Sequence, residues 1–386
     1  MSNRHIVTAE SVRRGHPDKA CDQIADAILD AHLEQDPNAH VAVEVFATDG
    51  KILVAGEVTS KAKVNYKEIV WRVLRAIRYK RADLSSAPDK HLDIEVRVHE
   101  QSTDIAAAVD REELGAGDQG IMVGYATNET EEFLPLPVVL AHRICRELDE
   151  LSRGAKWLSA DGKAQVSVVY DGDTPLYVKT VVISAQHTPN VCRSCMEKAI
   201  LESVVFPTIP DELLRPKTDI LINSSGQFVL GGPAADTGLT GRKLAVDQYG
   251  PVARIGGGAL SGKDATKVDR SGAYMARYIA KNLVAVGLAE RCEVQIAYAI
   301  GQAEPVSVSV DALGTGVIAN GLLTQTVRKV FDLRLAAIIK AFDLRKPRFS
   351  RLAAYGHYGR PELNLPWERM DKADALFNEA KRLLLG

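Results

Sequence analysis

Three pairs of stretches in this chain carry a hydrophobic period of two. Val41 to Thr48 and Lys51 to Thr59 flank Asp49-Gly50. Ala164 to Tyr170 and Leu176 to Ile183 flank Asp171-Gly-Asp-Thr, and Cys292 to Ile300 and Val306 to Val310 flank a turn through Gly301 and Pro305. Apolar runs on either side of such turns predict β-hairpins. Alternate residues point to opposite faces, so one face of each hairpin is predicted to lie under helices. A period near 3.6 marks the intervening segments. Pro17 stands at a helix start, with Cys21, Ile24, Ile28 and Ala31 on one face. Further helices are predicted over 66–79, 136–151, 190–204, 268–287 and 321–332, and loops over 83–88 and 115–120. A hairpin with its helices, three times over, predicts an α/β fold of the α+β type. It has three similar domains, each a small, mostly antiparallel sheet covered by helices. The residue identities do not repeat visibly, so the repeat is one of pattern.

Composition narrows the function. The 386 residues exceed one ordinary core. A net charge of −2 argues against a broad nucleic-acid surface, so any positive patch must be local. No apolar run approaches the ~20 residues that span a bilayer. The first residues, Met1 to Thr8, lack a signal-peptide apolar region, and a cytoplasmic protein without membrane or nucleic-acid partners is predicted. The cysteines, Cys21, Cys145, Cys192, Cys195 and Cys292, are odd in number and widely spaced, which fits reduced thiols. Cys192-x-x-Cys195 lacks the second pair that a structural zinc needs. It reads first as two helix-borne cysteines without special role, with a redox pair as the alternative.

The densest chemistry lies between Arg254 and Ser271, where four glycines, several cations and two aspartates precede an amphipathic segment. Glycines let backbone N–H groups close on an anion, and a helix start adds partial positive charge. Aspartates among cations suggest a bridging divalent metal. A polyphosphate site is predicted. Gly257 to Lys263 has P-loop spacing, but Asp264 stands where a P-loop needs Ser or Thr. A Gly-rich turn before a surface helix accounts for the same glycines. Gly15-His16-Pro17-Asp18-Lys19 is a second anion site at a helix start: His16 can donate to a phosphate oxygen, Asp18 can bind magnesium and Lys19 a phosphate. Glu44 and Glu57 lie on the first hairpin, either on a solvent face or in a functional role. Glycine-rich loops with charges also occur at 115–120, 161–163 and 231–243. No G-x-S-x-G elbow, kinase signature or H-E-x-x-H zinc motif occurs.

Together, Gly15–Lys19, Gly115–Gly120, Gly124–Thr130, Gly238–Lys243, Gly256–Ser271, Tyr298–Pro305 and Ala354–His357 resemble the S-adenosylmethionine synthetase (methionine adenosyltransferase) family of bacterial type. The resemblance spans nearly the whole chain. It implies three domains about a pseudo-threefold axis, over 1–103, 116–231 and 233–374, interleaved in space. It implies attack of methionine sulfur on C5′ of ATP, then cleavage of the tripolyphosphate to phosphate and pyrophosphate. His16, Lys163, Arg242, Lys263 and Lys267 are the implied catalytic groups. Asp118, Asp161, Gln227, Phe228, Asp236, Lys243 and Ala259 join His16, Lys163, Arg242 and Lys263 around ATP. Glu57, Gln101, Asp236 and Lys267 orient methionine. Asp18 and Asp269 hold Mg²⁺, two ions per site, and Glu44 holds K⁺. A homo-oligomer is implied, a dimer of dimers with sites between subunits. A tripolyphosphate or nucleotide hydrolase and a regulatory paralogue are the alternatives.

Several positions depart from the family pattern. Arg13 and Arg14 replace Ser-Glu, placing two extra cations beside the phosphate turn. Gln227 replaces a cation before Phe228, Leu260 replaces Phe, and Ser102 to Val109 lacks the usual proline. These changes bear on kinetics and substrate breadth.

Overall fold

The first hairpin forms where alternation and Asp-Gly predict it. In the computed structural model, which describes residues 3–87, 91–100 and 114–385, β2 (His40–Thr48) and β3 (Lys51–Thr59) pair antiparallel from Val41↔Val58 to Thr48↔Lys51. Gly50 turns the corner at φ 72. The remaining strands are β1 (Arg4–Val12), β4 (Asp93–His99), β5 (Gly120–Thr127), β6 (Leu158–Asp171), β7 (Thr174–His187), β8 (Asp219–Ile222), β9 (Gly238–Leu239), β10 (Arg291–Tyr298) and β11 (Ser307–Asp311). The longer helices are α1 (Pro17–Leu33), α2 (Tyr66–Ile77), α3 (Leu136–Gly154), α4 (Arg193–Ile200), α5 (Val268–Ala285), α6 (Asn320–Val330), α7 (Leu335–Phe342) and α8 (Ala373–Leu385).

The strands make three small sheets, ordered β4-β3-β2-β9, β1-β6-β7-β8 and β11-β10-β5. All pairs are antiparallel except β3–β4 and β7–β8. The fold is mixed α/β, as the pattern predicts. Each sheet also takes one strand from another third of the chain. β1 pairs with β6, β5 pairs with β10, and β9 pairs with β2. These borrowed strands carry little local signal, and none was predicted.

Two apolar cores follow. One joins α1, α2 and α5 to the β2 and β10 sheets; the other packs Leu140, Ile144 and Leu148 of α3 on Val166, Val168, Val181 and Ile183. The predicted one-sided burial of α1 is too narrow, since every residue of it except Ala31 is buried. The predicted helix over 190–204 is shorter: α4 ends at Ile200 and a wider π-type turn, Leu201–Val205, follows. β6 begins at Leu158, earlier than alternation suggested, because a bulge between Leu158 and Gly162 breaks the period there.

Candidate active site

The site starts at the N-terminus of α1. His16 is its N-cap, and Nδ1 accepts the Asp18 N–H at 3.2 Å. An accepting Nδ1 carries no proton, so the neutral ring bears its proton on Nε2, free to donate. Burial first, then Lys243, Lys163 and Lys19, push its pKa down to about 3, against the opposing pull of Asp18. Gly15 lets this turn approach β6; a Cβ there would lie 2.4 Å from the Ala160 carbonyl oxygen.

Asp18 is buried, accepting Lys243 Nζ at 2.6 Å and the Leu239 N–H at 2.9 Å, with Arg242 Nε at 3.4 Å. Burial opposes its ionisation, but these partners prevail and hold its pKa below the usual value. Lys19, read from sequence as a phosphate ligand, faces the other way. Its ammonium is fully buried between Asp22, at 2.9 Å, and Asp247. Burial works against that charge, yet the two carboxylates raise its pKa. Lys19 is therefore part of the scaffold.

One face of α1 explains how the distant loops arrive. Asp18, Asp22 and Asp26 recur every four residues, so they stack along one side. Asp22 accepts the Gly241 N–H at 2.9 Å, and Asp26 accepts the Gly262 N–H at 2.8 Å and both oxygens bind Arg270. The same loops line the edge of β2: Val45 exchanges hydrogen bonds with Thr240, and Val43 N–H bonds to Gly262 O at 2.9 Å. The glycine stretches 238–241 and 256–262 are thereby anchored side by side. Asp22 and Asp26 were not singled out from sequence; their spacing of four was the available signal.

Beyond Gly262 the chain enters α5. Lys263 Nζ meets Asp269 Oδ2 at 2.6 Å, and Lys267 stands at the N-cap position of α5 with its ammonium on Asp264. Gly258 lies against Asp269; a Cβ there would be 2.1 Å from its carboxyl carbon. Asp264, which displaces the P-loop hydroxyl, is buried. It accepts the Val41 N–H at 2.6 Å and the Thr266 N–H at 2.8 Å, so it holds the turn.

The central part of the chain contributes Asp161, Lys163 and the turn before Phe228. Asp161 is buried and accepts the Gly162 and Gly232 N–H groups; burial, the largest influence, raises its pKa to about 6. Lys163 is exposed, and its charge reaches His16. Phe228 is half-buried and clamped to His187 through both backbone groups, while Gln227 is exposed. Asn223, at φ 46, ties this turn to Ala185. Asp236, Arg242 and Asp118 are exposed, and Ala259 packs near Gly241. Glu44 is exposed on β2, yet partial desolvation first, then Asp22 and Glu57, raise its pKa against Lys263. Glu57 Oε1 lies 3.4 Å from His99. Gln101 and the 102–109 loop fall outside the described residues.

Within one chain, His16, Asp18, Lys163, Arg242 and Lys243 form one group. Lys263, Lys267, Asp264 and Asp269 form a second, joined to the first through the α1 acids. Three of the departures, Arg13, Arg14 and Leu260, have defined places. Arg13 is fully buried, paired with Asp149 at 2.7 Å and bonded to Ser159 O and Asp161 O, so its guanidinium does not face the phosphate turn. Arg14 reaches Gln23. Leu260 is 1% exposed and belongs to the core.

No cluster of three or more His, Cys, Asp or Glu side chains suited to a metal occurs among the described residues. Asp18 and Asp269 stand singly, each beside a lysine. That donor set suits Mg²⁺, which takes one or two carboxylates with phosphate oxygens and water. No described helix is long and apolar enough to cross a membrane.

Residues 4–103, 113–228 and 230–369 match the N-terminal, central and C-terminal domains of S-adenosylmethionine synthetase. The S-adenosylmethionine synthase of Desulforudis audaxviator (strain MP104C) is 53% identical over 387 residues, covering 97% of this chain and 98% of that one. With three domains matched in order and one relative similar along its whole length, the chain belongs to the S-adenosylmethionine synthetase family.

Proposed function

We propose that the two anchored glycine loops and the α1 N-terminus form the ATP site at which this chain performs its family's reaction. The chain is a methionine adenosyltransferase: it joins the adenosyl group of ATP to the sulfur of L-methionine and cleaves the tripolyphosphate to phosphate and pyrophosphate. Sulfur is already a competent nucleophile, so no activated Ser or Cys is required. Charge accumulates instead on the polyphosphate leaving group, and fixed cations stabilise it.

The neutral His16 at the head of α1, between Lys163 and the Lys243–Asp18 pair, carries this reading. Its Nε2–H donates to the oxygen between C5′ and the α-phosphate. Lys163, Arg242, Lys243, Lys263 and Lys267 surround the phosphates. Phe228 stacks on adenine, with Gln227 beside it. Asp118, Asp161 and Ala259 line the nucleoside. Glu57, Gln101, Asp236 and Lys267 orient methionine. Asp18 and Asp269 hold two Mg²⁺ ions, which neutralise phosphate charge when bound, and Glu44 holds K⁺. The active form is a homo-oligomer, a dimer of dimers, with sites between subunits. Phe46 and Leu239, partners across β2 and β9, are both exposed beside Glu44 and supply an apolar contact face.

Incubation with ATP, L-methionine, Mg²⁺ and K⁺ is expected to yield the sulfonium product with phosphate and pyrophosphate. Lys263→Met is expected to lower kcat/KM about ten- to a hundredfold, the effect of losing a charged contact of ~1.5–3 kcal/mol. Phosphate release without sulfonium product, unaffected by methionine, would reject this reading in favour of a hydrolase.

A further inference from the structure

The five thiols fall into two groups. Cys21, Cys145 and Cys292 are buried; burial pushes Cys145 and Cys292 up to about 12 and Cys21 well above its ordinary value. Cys192 and Cys195 are exposed. Cys192 is the N-cap of the eight-residue α4, and its Sγ accepts the Cys195 N–H at 3.4 Å. The two sulfurs lie 2.6 Å apart, with Ser194 Oγ 3.3 Å from Cys192 Sγ. Positions N-cap and N3 of a helix bring their side chains together, within reach of a disulfide.

We propose that Cys192 and Cys195 form a thiol–disulfide exchange site that takes small-molecule disulfides of the glutathione type. Hydrogen bonds from Cys195 and Ser194 pull the Cys192 thiol down to about 7, and the helix N-terminus favours the same thiolate. Cys195 is raised, chiefly by its bond to Cys192, so the two have distinct roles. The Cys192 thiolate attacks one sulfur of the small disulfide; that S–S bond breaks, a mixed disulfide forms, and the first small thiolate leaves. Cys195 then gives up its proton to solvent and attacks Cys192 Sγ. The Cys192–Cys195 bond forms and the second small thiolate departs. Two electrons pass from the protein dithiol to the small disulfide, which ends as two thiols. The buried cysteines are held as thiols by burial and are shielded from solvent, so the exchange is confined to α4.

Met196, next along α4, is buried, and its sulfur lies 3.9 Å from Asn223 Nδ2 in the turn leading to Phe228. A link from the thiols to nucleotide binding rests on the proposed role of Phe228. The exchange itself does not, and it is tested without ATP. The reduced full-length protein is treated with oxidised glutathione at neutral pH and read by intact mass and thiol count. Wild type is expected to lose two hydrogens and retain no glutathione, and dithiothreitol should restore it. Cys195→Ser should keep one glutathione on Cys192. Cys192→Ser, which preserves the helix cap, should not react on the same time scale. Alkylation of Cys192 by iodoacetamide should be half-maximal near pH 7. Wild type that stays reduced, that ends as a stable glutathione adduct, or whose Cys192→Ser variant reacts equally fast overturns the proposal, as does a midpoint near 9.

Discussion

His142 is 5% exposed, with Nδ1 2.8 Å from Ser11 Oγ. Burial, then Arg360, Arg146 and Lys19, lower its pKa to about 3. An unfolded histidine titrates near 6.5. Below about pH 6.5 the unfolded chain therefore takes up a proton that the folded chain refuses. Stability is lost as the pH falls towards 3, at up to ~1.4 kcal/mol per unit for this group. His16 acts in the same direction. Asp161 acts oppositely, because a raised carboxyl pKa adds stability as the pH falls through about 6. A mutant difference isolates the histidine. His142→Asn is expected to be less stable than wild type at neutral pH, with the gap closing on acidification by about one proton's worth per unit. Urea unfolding at several pH values checks this; a gap independent of pH would remove His142 from the account.

The acids of α1 tie several remote segments to one helix. Asp30 extends the series by another four residues and accepts N–H groups from Arg348, Phe349 and Ser350, each at 2.9 Å. Asp26 binds Arg270 through both oxygens, and both side chains are fully buried. Asp26→Asn would leave a buried guanidinium without its counter-charge, at a cost of about 3–5 kcal/mol. A urea titration should show that loss, together with reduced turnover as the Gly262–Lys263 turn loosens; a change under 1 kcal/mol would mean that water replaces the carboxylate. This element was only half legible in the sequence. The apolar stripe through Cys21, Ile24 and Ile28 announced a helix and its core face. The aspartates share the helical spacing, but nothing local indicates what covers them, and of the series only Asp18 was singled out. The glycine loops stood out by composition, although a plain glycine-rich turn reads the same way, whereas Lys19 was misplaced because a terminal turn offers more than one direction.

At the scale of the molecule, the open face beside β2 matters most. Phe46 and Leu239 are 37% and 36% exposed, opposite one another in register. Phe46→Asp with Leu239→Asp is expected to shift the protein to a smaller species in analytical ultracentrifugation and to abolish activity. A wild type that sediments as a monomer while fully active would refute the shared-site arrangement. The hairpins were legible because each is local, whereas the strand exchange among sheets was not, since Arg4 finds its partner at Asp171 and Phe46 at Leu239. That exchange has a consequence for biosynthesis. At ~5–20 residues per second, β1 waits roughly 8–30 s for β6 to leave the ribosome, and β2 waits longer for β9. Nascent chains carry unsatisfied strand edges throughout that interval, a liability that chaperones exist to shield. A chain truncated before Gly238 therefore lacks both β9, which pairs with β2, and β10, which pairs with β5.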